Sequence, residues 1–186
     1  KTFNYVNSYI GKKDYDIITM MSKTNGVNAE LDLQKFDMHL KGLEQVYLSD
    51  SQFVLVYPDE GNITLRKNRD MLFSGRVVGG TADFIGTNFF FDYDTFDIKM
   101  NNVDSMILYV ESTEVDDFGN PLYLPVKTSF SILQGKLQID RADNKSSRED
   151  YPEYPIFFSY STSAADYEKK EVFNNAYKKD EFYFKV

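Results

Sequence analysis

From Leu72 to Val110 the chain is a series of short apolar pulses, each stopped by Gly, Asn or Asp. Phe73, Gly75 and Val77 alternate with Ser74 and Arg76. Ala82, Phe84 and Gly86 alternate with Thr81, Asp83 and Ile85, and Phe96, Ile98 and Met100 alternate with Asp97 and Lys99. A period of two puts alternate side chains on opposite faces of a strand, so each pulse predicts a half-buried β-strand.

Similar pulses flank this stretch. Ala29, Leu31 and Leu33 form one, Phe36, Met38 and Leu40 the next, and Leu43 to Leu48 a third. Phe53, Leu55 and Tyr57 follow. Pro58 and Glu60-Gly61-Asn62 then predict a hairpin, with Ile63 and Leu65 on its return strand. Lys67 to Asp70 reads as a charged turn, Val103 to Val110 as the longest central strand, and Asp116 to Pro121 as a loop. Val126 to Asp140 predicts two strands broken at Gln134-Gly135, with Phe130 and Ile132 on one and Leu137 and Ile139 on the other.

The expected fold is therefore all-β, with many short strands in an open strand solenoid or a sandwich-like arrangement. The pulses recur about every 8–12 residues, as in sandwiches, barrels and solenoids. No exact repeat is found. At most one or two short helices are expected: one over Asp14–Met21, where a strand is the alternative, and one over Ser163–Glu171, capped by Ser163. Helix should stay under about a fifth of the chain, against a typical third.

The chain divides into a lead-in segment (1–26), a main β region (27–140) and a closing part (141–186), within one domain expected to be a piece of a longer chain. In the closing part, Arg141 to Asp150 is a polar loop. Tyr151-Pro152-Glu153-Tyr154-Pro155 is stiffened by its two prolines, and Ile156–Tyr160 and Glu181–Val186 read as strands. Both ends carry apolar weight, so neighbouring strand modules of the same chain are the expected partners. Open edges there predict edge-to-edge self-association.

Composition narrows the chemistry. The net charge is −8, shared evenly along the chain, which argues against nucleic acid and anionic membrane surfaces. No run of about 18 apolar residues exists to form a membrane-spanning helix. The absence of cysteine excludes thiolate catalysis and disulfides. Aromatics make up 16% of residues, all Phe and Tyr, which suits strand packing and also permits ligand stacking.

The single histidine, His39, lies opposite the Phe36, Met38 and Leu40 face, and no Gly-x-Ser-x-Gly elbow accompanies it. Gly79, Gly80 and Gly86 lack phosphate-loop spacing and instead suggest bulges or close backbone approach. Carboxylates such as Glu149 and Glu153 carry no information on the separation that glycoside hydrolysis needs. The expectation is a protein that is not an enzyme and needs no cofactor.

Two acidic clusters raise the question of calcium, which takes six to eight oxygens. Asp92, Asp94 and Asp97 could gather a cation, but Asp92, Tyr93 and Asp94 lie between two strands, where Asp favours turns. Asp140, Asp143, Asn144 and Asp150 form the metal candidate. They fail the EF-hand pattern, because its third and sixth positions are Ala142 and Lys145. Tyr151, Tyr154, Phe157 and Tyr160 are the candidate ligand-binding aromatics. Flat amphipathic rings of this kind serve sugar and peptide sites, and the alternative is that they seal the loop onto the sheet.

Several strings taken together resemble a region of very long, uncharacterised proteins of Bacteroides-group bacteria: Leu48-Ser49-Asp50-Ser51, Phe73-Ser74-Gly75, Phe91-Asp92-Tyr93-Asp94, Ile139 to Ser146, and Tyr154-Pro155. The resemblance spans residues 27–186. It implies a cell-envelope or secreted protein and a larger parent chain, and it transfers no catalytic residue. The texture of short strands is also similar to the open strand solenoids that carry lipid across bacterial envelopes, without a shared motif. The expected function is a non-catalytic structural or interaction module of a larger bacterial cell-envelope protein. The alternative is a carrier of lipid or glycan in an open β-groove, and an apolar interior open to ligand would distinguish it.

Overall fold

A computed structural model describes residues 2–4, 18–126, 133–141, 144, 150–160, 164–166 and 183–185. The described chain is almost entirely strand. The elements are β1 (Thr2–Asn4), β2 (Ile18–Ser22), β3 (Ala29–Asp32), β4 (Asp37–Leu40), β5 (Leu43–Ser49), β6 (Val54–Leu65) and β7 (Met71–Gly79). They continue with β8 (Ala82–Asp92), β9 (Asp97–Val115), β10 (Pro121–Pro125), β11 (Leu133–Gln138), β12 (Ile156–Ser159), β13 (Ala164–Asp166) and β14 (Tyr183–Lys185). The all-β expectation holds.

Twelve strands form one open sheet in the order β1-β2-β5-β6-β7-β8-β9-β11-β12, with β4 also on β6, β3 on β4, and β10 on β9. Every pairing is antiparallel. The long strands β6 and β9 each serve two neighbours on one side, besides β7 and β8 on the other. Val54–Val56 of β6 pairs with β5, and Ile63–Leu65 pairs with β4. Asp97–Val103 of β9 pairs with β11, and Tyr109–Val115 pairs with β10.

The sheet bends where those partners change. On β6, Asp59 to Asn62 loop out opposite Ser74 alone, with Glu60 and Gly61 at φ 50° and 69°. The predicted hairpin at Pro58–Asn62 is therefore a bulge inside one continuous strand. Pro58 cannot donate to a ladder and is tolerated there because bulges interrupt the ladder. On β7, Gly75 has φ 132°, and a Cβ on it would lie 2.3 Å from the Tyr57 carbonyl oxygen. On β8, a bulge at Asn88 (φ 56°) shifts the inward positions from Phe84 and Gly86 to Phe89 and Phe91. Bulges of this kind let one set of strands turn a corner and form two facing layers.

The sheet curls so that its β11–β12 end packs onto the core face of β7 and β8. Phe84 of β8 meets Phe157 of β12, with ring centroids 4.7 Å apart. Val46, Val77, Phe84, Phe89, Phe91, Ile98 and Met100 are all at 0% exposure within one cluster. Phe73 and Phe89 meet edge to face at 5.8 Å, and Phe91 and Phe96 at 5.5 Å. These contacts fill the space between the layers, as a close-packed interior requires.

Several local expectations change. At the start of β6 the core residues are Val54 and Val56, while Phe53 and Tyr57 are exposed and Leu55 is buried outside the core cluster, so the core phase there is the opposite of the one expected; further along, Ile63 is in the core. Leu31, Leu33 and Phe36 are also exposed, because the β3–β4 hairpin touches the sheet only through β4. The two central pulses run together from Asp97 in one strand, β9, with Phe96 in the turn before it. The break at Gln134-Gly135 is a register shift within β11, while Phe130 and Ile132 lie outside the described residues. Ala164–Asp166, inside the predicted helix at Ser163–Glu171, pairs instead with Tyr183–Lys185, because a cross-strand partner outweighs a lone capping residue. Ile18–Ser22 takes the strand alternative, and residues 11–17 lie outside the described residues.

Candidate functional site

Three hairpin turns share a construction. In the turns after β3, β5 and β8, a four-residue loop ends on a Phe with positive φ: Phe36 at 60°, Phe53 at 51° and Phe96 at 55°. The residue opening each turn caps it. Asp32 Oδ1 accepts from the Gln34 and Lys35 N–H groups, and Asp92 Oδ1 from those of Asp94 and Thr95. Ser49 Oγ accepts from the Gln52 N–H. Left-handed backbone is costly for a bulky side chain, and Gly or Asn would adopt it more readily. Phe96 has a compensation, since its ring is buried against Phe91. Phe53 has none of that kind. Its ring is 59% exposed and stands at the edge of a groove.

The groove has a volume of about 600 Å³ and lies on the face opposite the core. Its walls include Phe53, Arg76, Val78, Asp83, Tyr109 and Tyr123, from the β5–β6 turn and from β7, β8, β9 and β10. The period of two explains how they gather. Arg76 and Asp83 alternate with the core residues Val77 and Phe84, so both point to the outer face. The β7–β8 hairpin is closed by the two-residue turn Gly80-Thr81, with Gly80 at φ 60°, as tight hairpin turns favour.

Asp83 is the charged centre of the groove, with its side chain only 5% exposed. Arg76 Nε lies 2.9 Å from Asp83 Oδ2, and the Tyr109 hydroxyl donates to the same oxygen at 3.2 Å. A buried carboxylate is tolerated only when paired in this way. Burial and the adjacent Asp83 charge push the Tyr109 hydroxyl above its ordinary value of 10.0, which keeps it a donor. The Arg76 guanidinium also stacks 5.2 Å over the Tyr57 ring. The arrangement holds one cation, one anion and one hydroxyl among exposed aromatic rings.

The candidate aromatics Tyr151, Tyr154, Phe157 and Tyr160 are placed differently. Phe157 turns inward onto Phe84 and helps to fill the core. Tyr151 lies under the Arg141 guanidinium at 4.5 Å, and Tyr154 is partly buried. Tyr160 is 62% exposed, and its N–H donates to the Gln134 carbonyl. Phe157 and Tyr160 thus face opposite ways.

Of the metal candidates, Asp140 and Asn144 come together. Asp140 is 2% exposed, and its Oδ1 accepts from Asn144 Nδ2 at 2.7 Å and from the Arg141 N–H at 2.8 Å. Asn144 also bridges to Tyr151, accepting from its N–H and donating to its carbonyl. The Asn144 oxygen a cation would use is therefore engaged in closing the loop. Asp150 is exposed, and Asp143 lies outside the described residues. Among the described residues, no three His, Asp or Glu side chains converge on a point that could hold a metal. Asp92 is tied to Lys99 at 3.0 Å, and Asp97 is buried with Lys136 at 3.6 Å. His39 is exposed on β4, with Nδ1 3.1 Å from Thr64 Oγ1.

The groove was not legible as a site because its residues are scattered from position 53 to 123. The available signal was an Arg and an Asp in the outward phase of adjacent strands, flanked by Tyr57 and Tyr109 in the same phase. Compared with family models, curated proteins and solved structures, the chain finds no match.

Proposed function

We propose that this chain is a non-catalytic structural and interaction module of a larger bacterial cell-envelope protein, and that it meets its partner through the outer-face groove. The observation that carries this reading is the contrast between the two faces of the sheet. The inner face is filled by Phe84, Phe89, Phe91 and Met100, all at 0% exposure. The outer face holds the groove, with Phe53 and Tyr123 more than half exposed.

A carrier that held lipid inside the curl of the sheet would need that filled space to be open, so the interior favours a module over an interior carrier. The glycan part of the carrier alternative moves to the outer groove. The β9–β10 ribbon supports an interaction role as well. Beyond Leu108, where pairing with β8 ends, Val110, Val115, Phe118 and Leu124 are exposed, Phe118 at 90%. Apolar groups displayed in this way mark contact surfaces. The assignment to the envelope rests on the sequence resemblance alone.

A screen of the protein against saccharide, lipid and peptide panels tests the reading, with the Arg76→Ala/Tyr123→Ala double variant alongside. Binding to one class, lost in a variant that keeps its far-UV circular dichroism, is the expected result. Binding that survives the double variant would overturn the reading. So would turnover of ester, glycoside, phosphate or peptide substrates.

A further inference from the structure

We infer that the outer-face groove binds a neutral oligosaccharide of pyranose rings, an inference that rests on the interaction-module reading. The groove offers the two kinds of contact that such a ligand uses. Phe53 and Tyr123 present exposed rings, 59% and 51% accessible, against which the flat C–H face of a pyranose can stack. Phe53 holds its position on a φ of 51°, a backbone state that Phe rarely adopts and that its exposed ring does nothing to offset.

Between the rings lies a set of paired polar groups. Arg76 meets Asp83 through Nε, and both the Arg76 and Tyr109 contacts to Asp83 fall on Oδ2. Neither of these contacts uses the Arg76 Nη groups, which are donors, or Asp83 Oδ1, which is an acceptor. Neighbouring hydroxyls on a sugar ring each donate and accept, so they match such a pair. The groove volume of about 600 Å³ lies within the usual range for ligand sites, roughly 300–1,000 Å³.

The same features disfavour other ligands. The cation and anion of the groove neutralise each other in a chain of net charge −8, so an anionic glycan or phosphate gains nothing there. A buried carboxylate on the floor is a poor surface for an acyl chain. A peptide adding as a strand would use the open edge of β10, away from the Arg76–Asp83 floor, which lies on β7 and β8, both paired on each side.

Isothermal titration of the protein with cellotetraose, a galactose-configured tetrasaccharide and an oligogalacturonide tests the inference. Cellotetraose should bind, and Arg76→Gln and Tyr123→Ala should each weaken it at least tenfold. Phe36→Ala should leave it unchanged, because Phe36 shares the turn geometry of Phe53 but is not part of the groove. The oligogalacturonide should bind more weakly than either neutral sugar. No binding of any neutral oligosaccharide, tighter binding of the anionic one, or indifference to Arg76→Gln and Tyr123→Ala would overturn the inference. Peptide binding lost in the same variants would overturn the saccharide assignment and leave the interaction module standing. Failure of every ligand class would overturn both.

Discussion

Gly79 on β7 lies so close to Leu137 on β11 that a Cβ on the glycine would sit 2.9 Å from a Leu137 methyl carbon. The two residues are not strand neighbours. β7 pairs with β6 and β8, and β11 with β9 and β12. Their contact exists because the sheet curls until its β11–β12 end touches β7. Gly79→Ala should therefore destabilise by about 1–3 kcal/mol through overpacking. Leu137→Ala leaves a cavity and should cost about 2–5 kcal/mol by itself. The double variant should cost less than the sum of the two, a coupling readable in urea denaturation.

Gly86 makes a harsher demand. A Cβ there would lie 2.0 Å from the Asn102 carbonyl oxygen on the paired strand β9. A backbone carbonyl held in a ladder cannot swing aside as a leucine methyl can. Gly86→Ala should cost about 3 kcal/mol or more, the upper end of overpacking effects. Its melting temperature measures this, and a loss under about 1 kcal/mol would mean that the strands are further apart at this corner.

Phe157 and Tyr160 should separate cleanly. Phe157→Ala removes a ring packed on Phe84 and should lower stability by about 1.5–3 kcal/mol. Tyr160→Ala, at a 62% exposed position, should stay within about 0.5 kcal/mol. Neither should alter ligand binding in the groove.

The three left-handed phenylalanines predict opposite signs. Phe53→Asn relieves backbone strain at an exposed position and should raise stability by about 1 kcal/mol. Phe96→Asn relieves the same strain but strips a 3% exposed ring from the core, so it should lower stability by about 2 kcal/mol or more. Equal signs for the two would mean that burial does not set the balance at these turns.

The Asp92–Lys99 pair gives a pH signature. Burial opposes the Asp92 charge, but the Lys99 ammonium and the Thr95 N–H outweigh it, so the carboxyl titrates below its ordinary 3.8. Its hydrogen bond to Asp92 raises Lys99 above 10.5. A depressed acid contributes stability that is present above its unfolded value and lost as pH falls through the folded one. A raised base contributes stability that is present below its unfolded value and lost as pH rises through the folded one. Lys99 is 44% exposed, so Lys99→Met should cost about 0–1 kcal/mol near neutral pH. The deficit against wild type should vanish below the folded Asp92 value in urea denaturation.

Much of the fold can be read from the sequence, because alternation reports a face directly. Val77 and Phe84 inward, with Arg76 and Ile85 outward, follow from their parity alone. Parity fails where a bulge inserts a residue, and the sequence marks such insertions with the same Gly and Asn that mark turns. Glu60-Gly61-Asn62 therefore looks like a hairpin and is a bend. Val54 and Val56 were obscured by their neighbours, since Phe53, Leu55 and Tyr57 are larger and set the apparent phase. The Asp32 and Asp92 turns share the spacing Asp-x-x-x-Phe-Asp, but their Phe residues have opposite burial. The groove depends on which outward residues of different strands are brought side by side, and that is a property of register.

The central claim is that the interior of this sheet is closed and its outer groove is the binding surface. Titration of the isotopically labelled protein with cellotetraose, followed by amide NMR shifts, tests it most directly. The account predicts that the amides of Val78, Thr81, Asp83 and Tyr123 shift while those of Phe89 and Met100 stay still. Shifts centred on Phe89 and Met100, shifts centred on Tyr151 to Tyr160, or no shifts at all would contradict it.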